Sequence, residues 1–264
     1  RKGATHSSMY NVTLPEMALL VGVAFCAGTV DAIAGGGGLL TVPSLLAVGL
    51  PPHYALGTNK GQSVFGSLAA IFRYAHAGLV DGRFARMTFP MGFLGSLVGA
   101  ALAMLLRPEV LRPVVLVMLV IAAVLVTTMR PKPRGHRETL RRHAGIVSAI
   151  AALLIGAYDG FFGPGTGTFL IAAWVGLLGM SMTRASAAAK VVNFASNLAA
   201  AILFAQRGVI VWAIALPMAA AQLLGGFLGA HIAVRKGDRL IRGVVLVVVL
   251  ALVIKVGRDF YLGR

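Results

Sequence analysis

An apolar run from Leu14 to Ala34 carries an aspartate near its end and stops at four glycines. It is long enough to cross the hydrocarbon core of a bilayer. The stretch reads Asp31-Ala32-Ile33-Ala34-Gly35-Gly36-Gly37-Gly38 and continues into Leu39-Leu40-Thr41-Val42-Pro43. A carboxylate and an unwound backbone are both costly in lipid, where neither finds water. A similar stretch recurs at Asp159-Gly160-Phe161-Phe162-Gly163-Pro164-Gly165-Thr166-Gly167-Thr168. Meeting the same expensive combination twice points to a purpose.

Composition settles the class. Of the 264 residues 58% are hydrophobic and 12% charged, against roughly a quarter charged in a soluble domain. This is a multi-pass membrane protein. The net charge of +16 does not point to nucleic acid, because the basic residues sit in short loops between apolar runs. Positive loops retained in the cytoplasm are the better explanation. The single cysteine, Cys26, lies within the first apolar run and reads as packing. That run reads as a retained helix, since it carries the Asp31 motif and no small-residue cleavage site precedes it.

Five apolar segments come first, near Leu14–Ala34, Leu39–Leu50, Thr58–Ala77, Met87–Leu106 and Val110–Met129. Five more follow, near Ala144–Phe162, Gly167–Met180, Ala185–Gln206, Val209–Ala233 and Leu240–Val256. Residues 1–13 then form an N-terminal tail, 14–129 a first membrane unit, 130–143 a basic cytoplasmic linker, 144–256 a second membrane unit and 257–264 a C-terminal tail. The units match. An offset of 128 pairs Asp31 with Asp159 and Gly35 with Gly163. After a two-residue insertion an offset of 130 pairs Lys60 with Lys190, Gly78 with Gly208, Gly95 with Gly225, Gly99 with Gly229 and Arg112 with Arg242. One register holding a lysine, an arginine and so many glycines indicates duplication. If all five segments per unit cross, the repeats are inverted. With the linker inside, Arg83, Arg86, Arg184, Arg235, Lys236, Arg239 and Arg242 are inside too, and Arg107, Arg112, Arg207 and both termini outside. The second segment of each unit is short for a crossing and can be re-entrant instead, which changes that count. The expected fold is an all-α integral membrane protein of two homologous, inverted repeats with broken helices, in about eight to ten membrane segments.

Of the eight acidic residues only Asp31 and Asp159 lie against the apolar runs. Each serves as a cap for the next short helix, as a proton carrier or cation ligand, or as a salt-bridge partner that fixes the bend. Lys60, Ser63 and Ser67 share one helical face, and Lys190, Asn193 and Asn197 hold equivalent places. Asn59 and Gln62 flank the first lysine. These stripes are interhelical glue with snorkelling lysines, or they face a shared central cavity. Gly35, Gly36, Gly37 and Gly38, and Gly163, Gly165, Thr166 and Thr168, can hold unwound backbone whose following half-helices turn N–H groups toward an anion. With the two lysines, such ends would make an electropositive pocket. Gly95/Gly99 and Gly225/Gly229 are GxxxG pairs suited to close helix packing. No HExxH, CxxC, Walker A or GxSxG pattern occurs, so neither an enzyme nor a cofactor or metal is expected.

At these residues the chain resembles the sulfite exporter TauE/SafE family of bacterial membrane proteins. The resemblance rests on the Asp31–Pro43 stretch, on Ala55-Leu-Gly-Thr-Asn-Lys60 and on Gly78-Leu-Val-Asp81. In the second unit it rests on Asp159–Thr168, on Ala188-Ala-Lys-Val-Val-Asn193 and on Asn193-Phe-Ala-Ser-Asn197. It implies a transporter in the bacterial cytoplasmic (inner) membrane, exporting sulfite, sulfoacetate or a related sulfur-containing anion. The partners expected are then the lipid bilayer, a small anion and a coupling proton or sodium ion. An anion channel and a non-transporting accessory subunit are the alternatives. The sequence does not indicate an oligomeric state.

Overall fold

The computed structural model describes residues 12–128 and 144–238. The linker 130–143, the segment Leu240–Val256, the C-terminal tail and residues 1–11 of the N-terminal tail lie outside the described residues. Nine helices and no strand occur among the described residues. In chain order they are α1 (Leu14–Ala34), α2 (Gly38–Ala47), α3 (Pro52–His76), α4 (Gly82–Leu105), α5 (Pro108–Thr128), α6 (Ala144–Phe161), α7 (Thr166–Leu178), α8 (Met182–Gln206) and α9 (Trp212–Lys236). Five of them, α1, α4, α6, α8 and α9, are long and apolar enough to cross a membrane.

The starts of α1 and α6 coincide with those of the apolar segments, whereas α3 and α4 begin earlier than hydropathy indicates. Helix α3 starts with Pro52, six residues before the apolar segment does, because proline suits the first helical turn. Helix α4 starts at Gly82, where the Asp81 carboxylate accepts from the backbone N–H groups of Arg83 and Phe84 at 2.8 and 3.2 Å. The same N–H groups, that of Phe84 foremost, hold the Asp81 carboxyl below the usual carboxylate range. Helix α8 is anchored by Asp238, which accepts from the N–H groups of Met182 and Thr183 at 3.1 and 2.9 Å. That contact sets the end of α9 beside the start of α8.

The two short helices turn back. Leu45 of α2 and Leu50 just after it cluster with Leu20 and Ala24 of α1, so α2 returns toward the end from which α1 started. Trp174, Val175 and Leu178 of α7 likewise pack beside Ala151, Ala152 and Ile155 of α6. Gly35 has φ +76°, and a Cβ there would collide with Gly167 and with the N–H of Thr168. The tips of the two hairpins therefore touch, and only glycine permits that approach.

Helices α3 and α8 fill the centre and lie against each other. They run in opposite senses: Gly57, near the start of α3, meets Val209, just past the end of α8. Around them α1 packs on α9, and α4 on α6. Glycine makes both pairs close, as the GxxxG spacing predicts. A Cβ at Gly95 or Gly99 of α4 would run into the carbonyls of Leu153 and Ala157 on α6. At Gly225 and Gly229 of α9 it would strike the carbonyls of Phe25 and Thr29 on α1. The outer faces carry Leu19, Phe25, Leu94, Val98, Leu102, Ile150, Leu154, Leu224 and Phe227 exposed. The polar side chains go inward, as befits a protein whose solvent is lipid.

Replacing Gly99 with valine forces α4 and α6 apart and is expected to cost about 1–3 kcal/mol or more. Gly22, on α1, has open space where a Cβ would go, so Gly22→Ala should stabilise by up to ~1 kcal/mol. Thermal unfolding of the two variants in detergent checks this, the melting temperature falling for the first and holding or rising for the second.

Candidate functional site

Lys60 projects from the middle of α3 and is buried. Its Nζ lies 2.7 Å from Oδ1 of Asp159 on α6 and 3.0 Å from Oδ1 of Asn197 on α8. Lys190, in the middle of α8, lies 2.7 Å from Oδ2 of Asp31 on α1. The pairs are crossed along the chain, because Lys60 of α3 reaches the carboxylate on α6 and Lys190 of α8 reaches the one on α1. In a low-dielectric interior this is what two buried ammonium groups require.

The two aspartates are held differently. Asp159 also accepts from the Thr166 hydroxyl at 2.9 Å and from the Ser196 hydroxyl. Asp31 accepts from the N–H of Gly37 at 3.2 Å and keeps 19% of its side chain open. The position matching Ser196 at an offset of 130 is Gly66, so the first unit has no such hydroxyl. Asp31 is the more lightly tethered of the two.

A cavity of about 20 Å³ sits between these groups, room for roughly a single water. Asp31, Gly36, Gly38, Asn59, Lys60, Asp159, Gly163, Thr166, Asn193 and Asn197 line it, all expected from the sequence to belong to one site. Ser63 and Gly167 line it as well. Five expected residues stand just behind the wall. Gly35 abuts Gly167, Gly37 abuts Asp31, Gly165 caps α7, and Lys190 serves Asp31. The Thr168 hydroxyl is spent on the Ala34 carbonyl at 3.0 Å.

Two expectations change. The pocket is not electropositive, since two lysines face two aspartates and the formal charges cancel. The half-helix ends are also less open than the glycines suggest. The N–H groups of Leu39, Leu40 and Thr41 bond to the carbonyls of Gly36 and Gly37, and that of Thr166 to Gly163. Cys26 is exposed on the outside of α1 rather than packed inside. Among the described residues no cluster of His, Cys, Asp and Glu is arranged to hold a metal.

A family model described as "Sulfite exporter TauE/SafE" matches residues 20–256. The chain belongs to the TauE/SafE family. It is 38% identical to the probable membrane transporter protein YfcA of Escherichia coli (strain K12), covering 92% of this chain and 90% of that protein. It is 36% identical to the probable membrane transporter protein ORF9 of a Sinorhizobium species, covering 95% and 96%. A probable membrane transporter protein of Haemophilus influenzae (strain ATCC 51907 / DSM 11121 / KW20 / Rd) is 38% identical over 90% and 92%. No solved structure matches the chain. It is a membrane transporter of this family, and its relatives are described as probable membrane transporters.

Two residues of this TauE/SafE site escape sequence reasoning. Gln222 of α9 lines the cavity, and its Oε1 is buried without a hydrogen-bond partner. It has no polar mate, since Gly92 stands at the matching position, and repeat symmetry could not flag it. Ser196 was hidden for the same reason. Asn193 Oδ1 is the other partnerless oxygen among the cavity residues. Both atoms are acceptors, and leaving each unpaired costs about 1–3 kcal/mol, which a hydrogen-bond donor such as a water molecule would recover.

Lys60→Met should destabilise by about 3–5 kcal/mol, because Asp159 is left buried without its cation. The double variant Lys60→Met/Asp159→Asn should recover most of that loss. Lys190→Met should cost less than Lys60→Met, since Asp31 is partly open. Thermal unfolding in detergent ranks the three.

Proposed function

We propose that this TauE/SafE transporter exports a small sulfur-containing anion, sulfite or an organosulfonate such as sulfoacetate, across the bacterial cytoplasmic membrane. The observation that carries the reading is the crossed pair of Lys–Asp bridges around a polar cavity where two broken helices touch. The two units work as inverted repeats. Supporting this, the α1–α2 hairpin and the α6–α7 hairpin enter from opposite ends, and α3 opposes α8. A site at such an interface is reached from either side when one unit rocks against the other.

The chemistry follows from the ion pairs. An anion with several oxygens does not fit a cavity the size of one water, and no unpaired cation awaits it there. It binds by taking the place of an aspartate at Lys60 or Lys190, with donors from Asn59, Asn193, Asn197, Thr166 and Gln222. A carboxylate released from its lysine in a dry interior then takes up a proton or acquires a cation. Substrate binding is thereby tied to a coupling proton or sodium ion, and Asp31, the less tethered aspartate, moves first.

A second reading draws on the same neutralisation. With both lysines already paired, the bridges serve as clamps, and the protein is an accessory subunit without flux of its own. The readings part in reconstituted vesicles. The transporter reading predicts sulfite or sulfoacetate flux that responds to an imposed proton or sodium gradient and falls at least tenfold in Lys60→Ala and in Lys190→Ala. Undiminished flux in both variants would exclude the lysines as the binding charge. Absence of flux in the wild-type protein would favour the clamp, and flux indifferent to both gradients would indicate a channel.

A further inference from the structure

A vestibule of about 660 Å³ opens at the end of the molecule where α3 finishes and α8 begins. Its walls include Leu79, Val80 and Asp81 of the α3–α4 connection, Arg184 at the start of α8, and Ala188 and Val191 one and two turns further in. Val191 is next in sequence to Lys190, so the vestibule is lined by the helix that carries the second ion-paired lysine.

The equivalent space at the opposite end is filled. An offset of 130 carries Leu79-Val80-Asp81 onto Val209-Ile210-Val211. Those three are 5–7% exposed. The Val209 carbonyl sits against Gly57, and the N–H of Val211 donates to the Thr58 hydroxyl at 3.1 Å. Side-chain carbons of Ile210 lie 3.2 and 3.4 Å from where a Cβ on Gly61 would be. Gly61 follows Lys60 as Val191 follows Lys190, so Ile210 fills, beside the residue after the first lysine, the place that the vestibule leaves open beside the residue after the second. The sequence difference fits. The chain has Gly57, Thr58 and Gly61 where the plug seats, and Ala187, Ala188 and Val191 where the vestibule opens. The connecting segment is apolar in one case and ends in Asp81 in the other.

We propose that the vestibule is the open access route to the ion-pair cavity and that Val209–Ile210–Val211 is the closed gate of the opposite route. The proposal rests on the transport reading above. It also has a side. The Asp238 contact places Arg235 and Lys236 at the vestibule end, together with Arg73, Arg83, Arg86 and Arg184. Arg107 and Arg207, which follow the ends of α4 and α8, lie toward the plugged end. Positive charge marks the vestibule as cytoplasmic, so the structure is open inward and closed outward. The plug is three aliphatic side chains and one hydrogen bond, a contact that can part without leaving a buried charge behind.

The test uses the full chain with Cys26→Ser and one new cysteine, in right-side-out and inside-out vesicles, with a membrane-impermeant maleimide. Val80→Cys and Ile210→Cys are the matched pair, and Leu79→Cys with Val209→Cys repeats the comparison should either fail to fold. Without ligand, Val80→Cys should label from the cytoplasmic side at least tenfold faster than Ile210→Cys labels from either side. Saturating sulfoacetate, which leaves the maleimide intact, should raise Ile210→Cys labelling from the outer side several-fold and slow that of Val80→Cys. Anion flux in vesicles with Ile210→Cys and Val209→Cys unlabelled throughout would overturn the gate and leave the transport reading standing. Equal labelling of Val80→Cys and Ile210→Cys without ligand would overturn the assignment of open and closed ends. Loss of the transport reading would show separately, as wild-type vesicles that carry neither sulfite nor sulfoacetate.

Discussion

Two lysines buried near the middle of an apolar helical protein have to be answered by two carboxylates, and here the answers are crossed. Lys60 of α3 is neutralised by Asp159 of α6, and Lys190 of α8 by Asp31 of α1. An unpaired charge in such an interior is prohibitively costly, so α3 and α8 each depend on a carboxylate far away in the chain. The rest of the architecture serves this requirement. Helices α3 and α8 carry the lysines through the centre. The broken hairpins bring the aspartates and the glycine-rich tips to meet them. Helices α1, α4, α6 and α9 close around the outside with their hydrocarbon toward lipid.

The close packing of α1 on α9 and of α4 on α6 matters for the same reason. Glycines at 95, 99, 225 and 229 let each helix rest on the backbone of its neighbour, which excludes lipid from the charged centre without adding bulk. A neutral arrangement of two cations and two anions is also better suited to transport than a fixed positive pocket. A permanent surplus of charge would hold an anion too tightly to let it go. An aspartate that yields to the substrate and returns afterwards gives the lysine a partner in both states. In such a scheme the ion pairs keep the cavity to about the size of one water until a substrate displaces an aspartate.

Much of this was legible in the sequence. The aspartates, lysines and glycine runs are the groups that lipid does not tolerate without a reason, and ten of the fifteen residues singled out line the cavity. The remaining five are close by because they share those elements. What could not be read was the pairing. Spacing along a helix shows that Lys60, Ser63 and Ser67 share a face, but not which distant carboxylate that face meets. The electropositive pocket inferred from lysines and helix ends was the consequence. Gln222 and Ser196 were invisible because duplication was the guide, and both stand opposite glycines in the other unit. Helix starts were missed where proline or a capping side chain, rather than hydrophobicity, sets the boundary, as at Pro52 and Asp81.

The central claim is that substrate and aspartate compete for the same ammonium groups. An experimental structure of the protein in lipid nanodiscs, determined with and without saturating sulfoacetate, tests it most directly. The account predicts a sulfonate group within hydrogen-bond distance of Lys60 or Lys190 Nζ, with the corresponding aspartate withdrawn and the cavity enlarged. A bound sulfonate elsewhere, with both Lys–Asp bridges intact at their unliganded distances, would contradict it.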